Sequence, residues 1–218
     1  MFRGILIIKL IFVCGLTFSE TLTYQALTGK NTGISKIIIN PVSDGYEVKF
    51  TGDGSNGILE GNTDTRFAQT NWVLQKDVDG TDIYAQRINN ELSIKGTFKG
   101  KKFEKVYKLD NSPWTEFWGL ILEPFARSNE REFYFWSLPP NDLNMIAKFK
   151  AIKLGEEKIY VNGEKVDAIH VKITLTGMLE AFFTGHYWFR KSDGKTVLEE
   201  IPQGPGAPAT RIELIKEE

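Results

Sequence analysis

Residues 158–175 read KIYVNGEKVDAIHVKITL, and this stretch decides the fold class. Asn162-Gly163 readily takes the positive φ angles of a type I′ turn, which joins two antiparallel strands through two residues. After the turn, Ile169, Val171, Ile173 and Leu175 alternate with His170, Lys172, Thr174 and Thr176. One face is apolar and the other polar, as in a strand covering a core on one side. Outward from this hairpin, turn signals recur at SDG 43–45, DGSNG 53–57, DVDG 77–80, KGKK 99–102 and SDG 192–194. Between them lie short β-branched and aromatic runs: Gly33–Ile39, Gly45–Thr51, Asp82–Arg87, Leu92–Phe98, Phe103–Leu109 and a last strand Arg211–Ile215. Short strands at this spacing point to an all-β barrel or sandwich rather than βαβ units.

One segment breaks the pattern. Asn111-Ser112-Pro113 reads as a helix start, since Pro is tolerated at the first helical position. Trp114, Phe117, Trp118, Ile121 and Phe125 follow at intervals of three or four, an apolar stripe on one helix face. The expected helix covers about residues 113–123, because Pro124 should end or kink it. No repeat, low-complexity tract or domain linker is visible, so residues 20–218 read as one domain.

The N-terminus, MFRGILIIKLIFVCGLTFS (residues 1–19), has the layout of a secretory signal peptide. Arg3 and Lys9 form its basic part, Leu10–Phe18 its apolar run, and Thr17 and Ser19 the small residues before a cleavage site. The apolar run is too short to span a bilayer, which takes roughly 20 residues. Cys14 follows Val13, a residue of the wrong size for a lipoprotein signal, so cleavage after Ser19 is favoured over lipid anchoring at Cys14. No transmembrane segment is expected in the mature chain. Cys14 is the single cysteine, which excludes an intramolecular disulfide and a Cys-rich zinc site. The 218 residues include 27 Lys plus Arg and 28 Asp plus Glu. Loss of Arg3 and Lys9 leaves 25 basic against 28 acidic residues, a formal charge of −3 with no case for a nucleic-acid partner. Aromatics are plentiful at 12%, which argues against disorder.

Chemical motifs are absent or generic. DVDGT 77–81 has the form of a haloacid-dehalogenase phosphatase motif, yet lacks the preceding apolar strand and the α/β units, so it reads as a hairpin turn. Asp77, Asp79 and Asp82 do not fit an EF-hand loop, and TGDGSNG 51–57 lacks the Lys of a phosphate loop. The two histidines, His170 and His186, fall on expected strands and show no metal-ligand spacing; no metal and no cofactor are expected. There is no nucleophile elbow and no catalytic residue to name. Glu116 and Glu123 stand seven apart on the expected helix and read as a solvated face.

The aromatic load between 114 and 189 is the remaining feature. It is either a large aromatic core or the wall of an apolar concavity that takes a lipid-like ligand. Trp114, Phe117, Trp118, Trp136 and Trp188 are the expected lining.

The segments DNSPWTEFWGLILEPFARS (110–128), REFYFWSLPP (131–140), EKIYVNGEKVDAIHVKITLTG (157–177) and YWFRKSDGKTVLEEIPQGPG (187–206) resemble a family of exported bacterial proteins of unknown function. The resemblance spans residues 20–216. That family is similar in outline to the open β-barrel of lipoprotein-localisation carriers, an antiparallel sheet curled around a helical plug. The resemblance implies a half-barrel with an apolar concavity and carries over no catalytic residue.

The expectation is thus a mainly β protein, an antiparallel open (half) β-barrel curled around one short helix. It is exported to the periplasm or cell envelope and non-enzymatic, with an apolar or amphiphilic ligand and an envelope protein as candidate partners. Two other readings remain open: a carbohydrate-active hydrolase using Asp or Glu, and an interaction module of an envelope complex.

Overall fold

A computed structural model describes residues 18–52, 57–139, 142–204 and 206–218. The signal-peptide reading of residues 1–17, Cys14 included, and the tip of the 51–57 turn lie outside the described residues. Among the described residues, fourteen strands form one antiparallel sheet. The first eight are β1 (Glu20–Thr28), β2 (Asn31–Val42), β3 (Gly45–Gly52), β4 (Gly57–Thr63), β5 (Asn71–Lys76), β6 (Thr81–Ile88), β7 (Glu91–Phe98) and β8 (Lys101–Lys108). One helix, α1 (Trp118–Arg127), separates them from β9 (Glu132–Ser137), β10 (Ala147–Val161), β11 (Glu164–Leu175), β12 (Thr184–Arg190), β13 (Thr196–Ile201) and β14 (Thr210–Glu217).

Each strand pairs with its sequence neighbour, and β1 pairs with β14, so both halves of the chain join at the middle of the sheet. The strand order ends at β8 on one side and β9 on the other. The sheet is an unclosed half-barrel, and α1 lies in its concavity. Short connections suffice for such a meander. Asn162 and Gly163 have φ of 48° and 80°, the type I′ values expected of the Asn-Gly turn. The DVDG stretch is an exposed turn between β5 and β6. At Gly45 a side chain is impossible: φ is +155° and a Cβ would lie 1.9 Å from the Thr63 carbonyl oxygen.

The helix sits further along the chain than its sequence signals indicate. Pro113 does not open it, and Trp114 is not part of it. Residues 110–117 instead form an extended strap across the gap between β8 and β9. The Trp136 N–H donates to the Pro113 carbonyl at 2.8 Å, and the Thr115 N–H to the Trp136 carbonyl at 3.0 Å. Arg87 clamps the strap through the carbonyls of Ser112 and Asp110, at 2.6 and 2.7 Å. Backbone pairing with β9 thus outcompetes the helical start, since it satisfies the same donors and acceptors.

Pro124 also fails to end α1, which continues to Arg127. An internal Pro costs about 3 kcal/mol. Burial of Phe125 and Ala126 beyond it offsets this, a buried Phe contributing about 1.5–3 kcal/mol. Leu120, Ile121 and Leu122 are buried in succession, so the helix is enclosed on more than one side, as a plug is. The main core gathers around it; a second cluster, with Trp72, Ile83, Leu92, Ile94 and Trp114, fills the β5–β7 end beneath the strap. Among the described residues no helix is long and apolar enough to cross a membrane.

Candidate functional site

The candidate site is the concave face of β9–β13 under α1. Strand alternation sets which side chains face inward. On β9 they are Phe133 and Phe135, on β10 Phe149, and on β12 Tyr187. Trp118, at the start of α1, is the hub of this wall. Its ring centroid lies 4.5 Å from Phe149, 5.4 Å from Phe135, 5.7 Å from Phe183 and 6.5 Å from Tyr187. Its indole N–H donates to Ser137 Oγ at 2.9 Å. Phe183 roots the β11–β12 loop in this wall. The loop itself turns Met178 and Phe182 outward, at 98% and 79% exposure, so an apolar lip stands beside the aromatic wall.

The five residues expected to line the concavity do not share one surface. Phe117 and Trp118 face the core under α1. Trp114 is fully buried in the second cluster, its indole N–H donating to Glu116 Oε1 at 2.9 Å. Trp136 and Trp188 alternate with the inward Phe135 and Tyr187 and turn to the opposite face, Trp136 against the edge of the second cluster. There Trp136 donates to Asp110 at 2.8 Å, and Trp188 donates to Glu157 at 2.6 Å. Residue type alone singled out the tryptophans, whereas alternation along EFYFWS separates Phe133 and Phe135 from Tyr134 and Trp136. The concavity itself holds α1 and these rings. An open depression of about 430 Å3 lies elsewhere, on β6–β8, around Tyr84, Lys95, Lys102 and Glu104.

Three acids border the helix. Glu116 lies on the strap, not on α1, and its carboxyl accepts from the Trp114 indole, the Leu138 N–H at 2.9 Å and Ser137 Oγ at 2.8 Å. Glu123 on α1 accepts a long contact, 3.5 Å, from the Thr196 N–H. Glu199 on β13 bonds to the Tyr187 hydroxyl. The reading of Glu116 and Glu123 as a solvated face therefore gives way. Each residue retains some solvent contact, yet its carboxyl is set in dense protein. Burial outweighs the hydrogen bonds and pushes Glu116 and Glu123 up to about 8 and Glu199 to about 7.

Few polar contacts join α1 to the sheet. Besides the Glu123 contact and the Trp118–Ser137 bond, the Thr196 hydroxyl donates to the Gly119 carbonyl at 3.1 Å. This close approach leaves little room for a side chain: a Cβ at 119 would meet Thr196 Oγ1 at 3.0 Å. Beyond the helix, the far end of the sheet is tied by ions. Arg190 pairs with Asp193 and Glu217, and Lys195 with Glu217 and Glu20. The guanidinium and ammonium groups hold Glu217 down at about 2. One end of the half-barrel is thus bolted by charge and the other lipped by apolar side chains.

Among the described residues, no cluster of His, Cys, Asp and Glu has the form of a metal site. His170 and His186 sit on adjacent strands and bond to one another at 2.8 Å, in line with the local hydrogen bonding expected of strand histidines.

No family model matches this sequence, and no curated protein matches it significantly. Solved structures do. A β-barrel-like protein from Brucella abortus, of the domain of unknown function DUF1849, superposes with a TM-score of 0.63 at 11% identity, over 92% of this chain and 97% of that one. The hypothetical lipoprotein YmcC of Escherichia coli aligns over 92% and 85% of the two chains at 12% identity, with a TM-score of 0.37. A domain described as that of an outer membrane lipoprotein-sorting protein from Vibrio parahaemolyticus gives 92%, 85%, 12% and 0.34. The last two superpose too loosely to carry an argument. The first shows that the chain shares the barrel-like fold of a protein of unknown function.

Proposed function

We propose that this chain is an exported, non-enzymatic envelope protein that takes an apolar or amphiphilic, lipid-like ligand into the concave face of its half-barrel. In this reading α1 is the plug that the ligand displaces. The observation that carries it is the wall of Phe133, Phe135, Phe149, Phe183 and Tyr187, on which Trp118 of a ten-residue helix packs while only a few polar bonds hold that helix. A displaced helix leaves an apolar concave surface of the kind that binds acyl chains. The strand that opens the sheet starts at Glu20, directly after the expected cleavage site, which supports export of residues 20–218.

The test is lipid extraction and mass spectrometry of the purified protein, with titration of a fluorescent fatty acid read by energy transfer from tryptophan. A co-purifying lipid or a saturable signal is expected. Absence of both would remove the reading.

The apolar lip makes a separate prediction about delivery. Replacing Met178, Leu179 and Phe182 with serine should slow transfer of the probe from phosphatidylcholine vesicles by about tenfold, leaving equilibrium affinity for the free probe within about threefold. Such side chains each contribute about 1.5–3 kcal/mol when inserted in an apolar phase. Equal loss in both measurements would place the loop inside the binding surface instead.

A further inference from the structure

β8, the strand at one end of the sheet order, reads KKFEKVYK. Its register with β7 runs without a shift from Phe98 opposite Lys101 to Glu91 opposite Lys108. Lys99-Gly100 joins the two strands, and φ values of 50° and 73° make this a two-residue type I′ turn. In such a hairpin the residues flanking the turn, Phe98 and Lys101, exchange both backbone hydrogen bonds, and every second pair after them does the same. Lys101, Phe103, Lys105 and Tyr107 therefore bond to β7. The N–H and C=O groups of Lys102, Glu104 and Val106 point the other way, out of the sheet. Among the described residues no backbone hydrogen bond from outside the hairpin reaches these three.

The side chains of β8 divide between two faces. Phe103 and Tyr107 pack on the second core cluster, and the Tyr107 hydroxyl donates to the Leu143 carbonyl at 2.6 Å. Lys105, on the same side, donates to the Asn144 carbonyl. Lys102, Glu104, Val106 and Lys108 stand on the opposite face and are exposed, Val106 at 56%. Positive charge is concentrated on this hairpin. Residues 91–108 hold six lysines and two glutamates, a formal +4, in a chain whose residues 20–218 carry −3. On β10, β12–β13 and β14, Lys148, Lys150, Lys158, Lys191, Lys195 and Lys216 each meet a carboxylate. Among the described residues, Lys101, Lys102 and Lys108 meet none.

We propose that the β8 edge is the docking site for an acidic, extended segment of a partner protein, which adds to the sheet as one more strand. Lys102, Glu104 and Val106 offer three N–H donors and three carbonyl acceptors, enough for a strand of about five residues. In this mode the backbone bonds supply affinity and the flanking side chains supply selectivity. A second copy of this chain is the wrong occupant. Two β8 edges would set lysine against lysine, and like charges across a strand pair are destabilising. A bilayer fits no better, because the lysines fall on both faces of the edge, with Glu104 between Lys102 and Lys108, and make no single basic plane. An acidic strand meets lysines on either side and pairs the outward backbone groups.

The probe is a fluorescein-labelled peptide of about seven residues, glutamate alternating with valine and capped at both ends. Fluorescence anisotropy with the purified protein should show saturable binding that weakens as salt is raised, and at least about tenfold weaker binding of the lysine–valine counterpart. Amide hydrogen exchange read by NMR should slow at Lys102, Glu104 and Val106 when the acidic peptide is bound. Val106→Pro removes one outward N–H and leaves the bonds to β7 in place, as proline on an edge strand can. It should weaken binding at least about tenfold, whereas Val106→Ala stays within about threefold of the parent. Glu104→Pro serves in its place if Val106→Pro folds poorly, and the exchange measurement on the parent stands without either variant. Binding without slowed exchange, or proline variants that bind as the parent does, would reveal loose charge attraction and overturn the strand reading. Failure to bind the acidic peptide, with or without adhesion to phosphatidylglycerol vesicles, would overturn it as well.

Discussion

Joining α1 to β13 by a disulfide is expected to abolish uptake of a fatty-acid probe, and reduction to restore it. A Cβ placed on Gly119 would lie 3.5 Å from the Thr196 Cβ, within the range that a disulfide spans. Gly119→Cys with Thr196→Cys also removes the hydroxyl that crowds position 119. The two positions are 77 residues apart, so the cross-link should add about 4 kcal/mol by restricting the unfolded chain. Cys14→Ser leaves the engineered pair as the only thiols of the chain. The oxidised protein should melt higher and bind the probe at least about tenfold more weakly, while the reduced protein binds as the parent. A rise in melting temperature without loss of binding would show that ligand enters with the helix in place, and the plug reading would fall.

Replacing Glu116 with alanine is expected to destabilise the fold by about 3–5 kcal/mol. Three donors converge on this carboxyl, from Trp114, Ser137 and Leu138, and each is left without its partner in a place that water enters poorly. A buried donor stranded this way costs about 1–3 kcal/mol. Glu116→Gln keeps an oxygen for the Trp114 and Leu138 donors, and should cost less than about 1.5 kcal/mol near neutral pH. The pH dependence separates the two effects. Burial raises Glu116 in the folded state from its ordinary 4.5 to about 8, so between those values the folded state holds a proton that the unfolded state has lost. Stability from this group is therefore greatest below about pH 4.5 and declines as pH rises toward 8. Glu123 and Glu199 act in the same direction, up to about 8 and 7. Urea unfolding across that range should show a shallower decline for Glu116→Gln than for the parent. Identical slopes would mean that Glu116 is already ionised in the fold.

Much of this architecture can be read along the chain because it rests on local rules. The Asn162-Gly163 turn and the alternation that follows it specify an antiparallel hairpin by themselves. The stripe Phe117, Trp118, Ile121, Phe125 identifies a helix through its period. Its start is not legible: Pro113 is a good first helical residue, and only the partner strand at Trp136 pulls residues 110–117 into a strap. The same holds for the aromatic wall. Alternation divides Phe133 and Phe135 from Tyr134 and Trp136, but which set faces α1 depends on the curl of the sheet. The five residues picked by size therefore scatter over two cores and the outer face.

The acids show the same division. Glu116 and Glu123 look like a solvated helix face seven residues apart, and nothing local contradicts that. Their enclosure arises when α1 is laid in the half-barrel, where desolvation, a property of the whole surroundings, moves their protons. His170 and His186 are sixteen residues apart and acquire a common bond only through the β11–β12 register.

By itself, then, the sequence determined what depends on neighbours a few residues away: strand periodicity, tight turns and one helical stripe. The tertiary structure alone decided what depends on distant partners. It set Trp118 against the aromatic wall and Trp188 on the outer face, enclosed Glu116 and Glu123, and brought His170 and His186 together. The physical reason is range. Backbone dihedral preferences act within one turn or one strand, whereas burial and charge coupling are assigned only once the sheet has curled around its helix.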